Sequence, residues 1–223
     1  MTIRKRGQKV DRAWLQSHLS DPYVKLAQQQ GYRARAAYKL IQIDEALGLL
    51  APGQVVVDLG STPGAWSQYL RRKLLATPPA GGVPASVLIA LDILPMELVE
   101  GVEFILGDFR EESSAAEVSR VLAGRPVDVV LSDMAPNLSG IPASDGARMS
   151  HLLELAVEFA VAHLKPRGVL VAKAFHGSGY SQTVELFKSR FKLVKPIKPK
   201  ASRDKSAETY LVGIGLKFPQ TPD

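Results

Sequence analysis

The run Val55-Val56-Val57-Asp58-Leu59-Gly60-Ser61-Thr62-Pro63-Gly64-Ala65-Trp66 reads as a strand, a glycine-rich turn and the start of a helix. Three β-branched residues in succession favour a buried strand. Asp58 stands near its carboxyl end. Gly60 and Gly64 bracket a turn, and Pro63 is suited to open the helix, where a missing N–H costs nothing. Such a unit begins a nucleotide-type α/β site. Glycine lets backbone approach a ligand closely, which makes Gly60 and Gly64 candidate contacts. A carboxylate at a strand end, here Asp58, can meet a cationic amino-acid moiety.

The turn lacks the G-x-G-x-x-G of a dinucleotide fingerprint, and no Gly-Lys-Ser/Thr follows to make a P-loop. The run D-L-G-x-x-P-G-x-W fits S-adenosylmethionine better, a ligand with an amino acid and a ribose but no phosphate. An ordinary glycine turn in a Rossmann-like sheet is the plainer alternative.

Strand and helix signals alternate along the rest of the chain. Residues 1–20 are polar and basic and predict a flexible arm, with a single domain over 21–223. Asp21-Pro22 is a helix start, Asp as N-cap and Pro behind it. The pattern stays largely helical to about Leu50, interrupted at Gly31 and Gly48. Arg35 and Lys39, four apart, would share a face. Helices are expected at about 63–76, 112–122, 145–164 and 181–190. Residues 77–84, rich in Pro and Gly, predict a surface loop. Strands are expected at 55–59, 87–93, 102–106, 127–131, 169–174, 191–197 and 208–216. The default is a mostly parallel seven-stranded sheet with helices on both faces. The last two strands follow each other without a helix, so a hairpin should leave one antiparallel strand at the sheet edge.

In such sheets ligands gather outside the carboxyl ends of the strands. Asp58, Asp92, Asp108, Asp133 and Lys173 all fall at or near those ends. Unpaired carboxylates are costly to bury, so packing alone explains this poorly. Asp92 is placed to hold ribose hydroxyls, with a helix N-cap as the alternative. Asp108 is placed to meet an adenine edge, with a loop cap as the alternative. Asp133, Lys173, Glu208 and Lys39 are the candidates for reaction. A lone strand-end lysine is commonly a snorkelling surface residue, so the case rests on the four together.

Charge and composition narrow the class. The 223 residues, 46% hydrophobic, hold 28 Lys and Arg against 22 Asp and Glu. Arg4, Lys5, Arg6, Lys9 and Arg12 crowd one end, and Lys195, Lys198, Lys200, Arg203 and Lys205 crowd another segment. Clustered cations suit a polyanion, nucleic acid first. With no cysteine, disulfides, Cys-ligated zinc and cysteine nucleophiles are excluded. No long apolar run predicts a membrane span, and the start lacks the apolar core of a secretory signal. A cytoplasmic protein is expected.

Six ordered motifs together resemble the FtsJ (RrmJ, RlmE) family. They are Asp58-Leu59-Gly60 through Trp66-Ser67-Gln68, Leu91 to Met96, Gly107-Asp108-Phe109-Arg110, Ser132 to Asn137, Lys173-Ala174-Phe175, and Ser202-Arg203 to Glu208. The resemblance runs from about Tyr23 to Lys217. It implies a Rossmann-like, class I S-adenosylmethionine-dependent methyltransferase. The implied reaction is methylation of a uridine ribose 2′-OH in 23S ribosomal RNA, on the large ribosomal subunit, aiding its maturation. The family's Lys-Asp-Lys-Glu tetrad falls on Lys39, Asp133, Lys173 and Glu208. Its cofactor contacts fall on Gly64, Trp66, Asp92 and Asp108, with Asp133 beside the cofactor. The sequence departs in its turn, where Ser61-Thr62 and Gly64-Ala65 replace commoner Ala-Ala and Gly-Gly pairs, and at His176, where an amide is frequent.

The donor is a sulfonium and already activated, so no metal is expected. The acceptor is the difficulty, because a 2′-OH is a poor nucleophile near neutrality. Lys173 is the expected base, or the group that orients the hydroxyl and stabilises the developing alkoxide. Arg33, Arg35, the basic arm and the 195–205 segment would flank the RNA and hold phosphates. A monomer is expected. Two other readings remain: a nicotinamide oxidoreductase, which needs the missing pyrophosphate turn, and a non-catalytic RNA-binding or assembly module, which predicts a broken tetrad.

Overall fold

The computed structural model describes residues 20–75, 85–137 and 139–217. The expected arm, apart from its last residue, and the expected loop 77–84 lie outside the described residues. Helices α1 (Pro22–Gln29) and α2 (Ala37–Leu47) precede the sheet, and α3 (Ala65–Leu74) follows β1 (Val55–Leu59). Next come β2 (Val87–Asp92), β3 (Val102–Leu106), α4 (Glu112–Leu122), β4 (Val127–Ser132) and α5 (Pro142–His163). The chain closes with β5 (Leu164–Phe175), α6 (Tyr180–Arg190), β6 (Phe191–Ile197) and β7 (Glu208–Leu216).

The seven strands form one sheet in the order β3-β2-β1-β4-β5-β7-β6. β1 pairs in parallel with β2 and β4, and all five of its residues are buried. That is why it reads as an unbroken apolar run rather than an alternating one. The antiparallel pairing lies at the expected end of the sheet. The reversed strand itself is β7, hydrogen-bonded to β5 on one side and to β6 on the other. The α6 crossover carries the chain past one strand position to β6, and the hairpin then fills that position with β7. β6 is therefore outermost.

Side chains alternate between two cores. Val57, Leu59, Ile89 and Val130 pack with α4, α5 and α6 residues such as Val118, Leu153 and Phe187. Val56, Leu88, Leu131, Val171 and Tyr210 pack on the other face with Leu40 and Ile43 of α2 and Trp66 and Leu70 of α3. This gives helices on both faces. No helix among the described residues is long and apolar enough to cross a membrane.

Three local expectations change. Pro63 does not open α3: the Thr62–Pro63 bond is cis, and Gly64, at φ 99°, is the N-cap. The strand expected from 169 starts at Leu164, directly after α5. Leu164 pairs with Val127 and Lys165 Nζ lies 2.7 Å from Asp128 Oδ1, so β5 begins earlier and bulges before Val169. Arg33 and Arg35 are in the connection between α1 and α2, not on a helix with Lys39.

Candidate active site

β7 runs against its neighbours, so its first residue lies at the same rim as the carboxyl ends of β4 and β5. Phe175 is opposite Glu208, and Lys173 is opposite Tyr210. Residues two apart on a strand share a face, which places Glu208 and Tyr210 on the side of Lys173. Asp133 follows the last residue of β4. α2 brings Lys39 over the same rim.

The four candidate reactive side chains meet there. Lys173 Nζ lies 2.7 Å from Asp133 Oδ1 and 3.9 Å from Glu208 Oε2. It also donates to the Asp133 backbone carbonyl at 2.7 Å. Lys39 Nζ contacts Glu208 Oε2 at 2.7 Å. Lys173 and Glu208 are each only 8% exposed, so these contacts are little screened by solvent.

Two further residues complete the cluster, and neither was expected. The Tyr210 hydroxyl donates to Asp133 Oδ1 at 2.5 Å. Burial, reinforced by the Asp133 and Glu208 carboxylates, pushes this phenol well above its ordinary pKa and keeps it a donor. Its ring packs on Trp66, with centroids 5.8 Å apart. Ser202, itself buried, donates to Glu208 Oε1 at 2.7 Å. The period of β7 offers a signal for Tyr210, two positions after Glu208. Ser202 has none, because its contact depends on how the 198–206 loop folds back.

Beside the cluster is a cavity of about 730 Å³ whose wall includes Gly60, Thr62, Asp92, Asp108, Asp133 and Met134. Its size is that of a site for a nucleoside-sized ligand. Gly60 has φ 74°, and a Cβ there would come 2.5 Å from Met134 Cγ. Only glycine allows this approach of the β1 turn to the end of β4. The Asp92 carboxylate accepts from the Thr62 and Leu94 amides, both at 2.8 Å. It thus shapes the turn and faces the cavity, with lone pairs to spare on each oxygen. Asp108 is held by a forked contact with Arg110, whose guanidinium keeps its carboxyl below the ordinary range. Asp145, outside this wall, accepts from Ser139 N and Gly140 N and fixes the loop before α5.

The remaining candidates stand behind this wall. Trp66 is buried, and its indole N–H donates to the Ala36 carbonyl at 2.8 Å. Gly64 is covered by Arg33, whose Nη1 a Cβ would meet at 2.5 Å. Asp58 is 1% exposed, with Oδ2 accepting from Ser67 Oγ at 2.9 Å and Oδ1 unpartnered. Burial pushes its carboxyl up to about 7, and the Asp133 and Asp92 charges add to this.

The expected phosphate-binding role of two arginines is not supported. Arg33 donates to the carbonyls of Pro63, Glu97 and Leu98. Arg35 Nε lies 3.1 Å from Asp21 Oδ2, and its Nη2 donates to the Ala201 carbonyl. Both guanidinium groups pin segments of the fold together. Lys195, Lys200, Arg203 and Lys205 are exposed, as is Lys198.

Known proteins share this sequence and fold. A family model described as FtsJ-like methyltransferase matches residues 32–216. The chain is 63% identical to a ribosomal RNA large subunit methyltransferase E from Variovorax paradoxus, over 99% of this chain and 100% of that protein. It is 65% identical to the protein of the same name from Methylibium petroleiphilum, over 97% and 99%. A crystal structure of a ribosomal RNA methyltransferase from Plasmodium falciparum superposes with a TM-score of 0.73 at 27% identity, covering 83% of this chain and 98% of that one. On its fold, its four-residue cluster and these matches, the chain belongs to the FtsJ-like methyltransferase family.

Proposed function

We propose that this enzyme methylates the ribose 2′-OH of a uridine in 23S ribosomal RNA, on the large ribosomal subunit, with S-adenosylmethionine as donor. The observation that carries the reading is the double position of Asp133. It borders the large cavity and grips Lys173 at 2.7 Å, so a donor in the cavity and a hydroxyl at Lys173 would be neighbours. The names of the relatives supply the RNA and the subunit.

The cavity fits the donor. Its wall offers carboxylates at Asp92 and Asp108 for hydroxyl and amino groups and close backbone at Gly60. Asp133 would share the sulfonium end, and Gly64 and Trp66 support the turn from behind. Asp58 acts through Ser67 and the buried base of that turn. When bound, S-adenosylmethionine supplies a methyl group already activated on sulfur.

The chain's own work is on the acceptor. A lysine ammonium has three protons to donate; Asp133 takes two through its carboxylate and carbonyl. The third is free to meet the ribose oxygen. Lys173 orients that oxygen and stabilises the charge growing on it. Late in the step it passes one of its own protons to the Asp133 carboxylate 2.7 Å away and takes the hydroxyl proton in its place, so that Asp133 holds the released proton. Ser202 holds Glu208 Oε1, which turns Oε2 towards both lysines. Lys39 adds a second positive charge over the reacting oxygen. The exposed lysines of 195–205, with the basic arm, position the RNA backbone. The enzyme works as a cytoplasmic monomer with one domain over 21–223.

Two measurements test this. Calorimetry should show binding of S-adenosylhomocysteine and none of NAD. Labelled methyl groups should pass from S-adenosylmethionine to large subunits prepared from an unmodified strain. NAD binding, or unlabelled subunits, would reject the reading. An intact tetrad disfavours a non-catalytic assembly module.

A further inference from the structure

A second, smaller cavity of about 170 Å³ opens at the end of β5, between α5 and the start of α6. It is lined in part by Gly146, Ser150, Ala174, His176 and Tyr180, and none of these belongs to the site above. Resting on the RNA reading, we propose that it takes a single pyrimidine base of the bound RNA, extruded from the strand at the reacting nucleotide or its immediate neighbour.

Size comes first. A cavity of about 150 Å³ accepts one benzene ring, so this one holds one six-membered ring and not a fused purine. Its walls are fixed. A Cβ on Gly146 would come 2.8 Å from the Ser178 carbonyl oxygen, and one on Gly179 would come 2.6 Å from Ser150 Oγ. The 177–179 loop therefore lies directly on α5.

The lining suits a base. The His176 and Tyr180 rings stack with centroids 4.2 Å apart and planes inclined at 40°, and His176 is exposed. Unpaired RNA bases are commonly held on aromatic or histidine faces. Neither Ser150 Oγ nor the Tyr180 hydroxyl hydrogen-bonds to a described residue, so both can serve the polar edge of a base. Thr183 Oγ1 is engaged with the Gly179 carbonyl.

Position links the cavity to the reaction. Ala174, in its wall, follows Lys173 and faces the opposite side of the sheet, so the cavity shares the rim of the sheet with Lys173 but opens on its α5–α6 side. His176 is tied to the tetrad side of the rim, its amide donating to the Ala207 carbonyl at 2.8 Å, next to Glu208. At about 3.3 Å per residue, His176 is roughly 10 Å beyond Lys173 along β5. A base there would fix the register of the strand, so that one ribose, not its neighbours, faces Lys173.

The test uses the full chain on large subunits, with normal RNA and with a purine placed at the target or at either neighbour. The wild-type enzyme should lose about 10-fold or more in kcat/KM with a purine at one of these positions. His176→Ala and Tyr180→Ala should each lose about 10-fold on normal subunits, mainly through KM, and their discrimination against the purine should shrink. Their affinity for S-adenosylhomocysteine should stay within about twofold of wild type; if Tyr180→Ala does not fold, His176→Ala, at an exposed position, decides alone. Variants with unchanged kcat/KM and unchanged base preference would overturn this inference while leaving the function above intact. A wild-type chain that methylates no subunit would overturn both.

Discussion

The Tyr210 hydroxyl and Lys173 Nζ converge on one oxygen, Asp133 Oδ1, at 2.5 and 2.7 Å. The two residues are also opposite each other across the β5–β7 ladder. The carboxylate that borders the donor cavity is thus fixed from two strands at once.

Tyr210→Phe removes one of those anchors and keeps the ring against Trp66. A hydrogen bond to a charged group contributes about 1.5–3 kcal/mol. We expect kcat to fall roughly 10- to 100-fold, with S-adenosylhomocysteine affinity little changed in calorimetry. An unchanged kcat would remove Tyr210 from the mechanism.

Ser202→Ala frees Glu208 Oε1 in a buried setting and lets the carboxylate rotate away from the lysines. The expected result is a lower kcat at unchanged KM for subunits, together with a stability loss of about 1–3 kcal/mol in denaturant unfolding. Ser202→Thr, which keeps the hydroxyl, should recover most of the rate. If both variants behave alike, the hydrogen bond is not what matters at this position.

Asp58 gives the fold a pH dependence whose sign follows from its surroundings. Its carboxyl is raised by burial to about 7 in the folded protein, against about 3.9 in an unfolded chain. Between these values the folded state holds a proton that the unfolded state has lost, so stability falls as pH rises from about 4 to 7 and then levels off. A shift of ~3 corresponds to about 4 kcal/mol at most. Asp58→Asn should flatten this part of the curve of melting temperature against pH. A variant with the wild-type slope would show that Asp58 is ionised in the fold.

Arg33 and the 195–205 lysines should separate in salt titrations. Each phosphate-contacting lysine removed, Lys200→Ala or Lys205→Ala for example, should weaken RNA binding and lower the salt slope by about 1. Arg33→Ala should instead loosen the turn at Gly64 and weaken donor binding, leaving the salt slope as it was. A reduced slope in Arg33→Ala would return that arginine to the RNA interface.

Much of this architecture is legible in the chain because its signals are local. β1 declares itself by Val55-Val56-Val57, and Asp133 and Lys173 stand at strand ends where an α/β sheet gathers its ligands. Nothing local joins Lys39 to Glu208, so grouping them with Asp133 and Lys173 rests on the family resemblance as well as on the placement of residues at strand ends. What escaped depends on contacts distant in sequence. Arg33 and Arg35 look like free cations until the carbonyls of Pro63, Glu97 and Ala201 are brought to them. Ser202 reaches Glu208 only through the fold of its loop, and β7 sits inside β6 only because α6 skips a strand position.

The most direct measurement is mass-spectrometric mapping of 23S RNA from unmodified large subunits after incubation with S-adenosylmethionine and either wild-type enzyme or Lys173→Ala. The wild type should leave one 2′-O-methyluridine, and Lys173→Ala should reduce its rate of formation by about 10²-fold or more while still binding S-adenosylhomocysteine. Methyl groups on a base, or near-normal turnover by Lys173→Ala, would contradict the account.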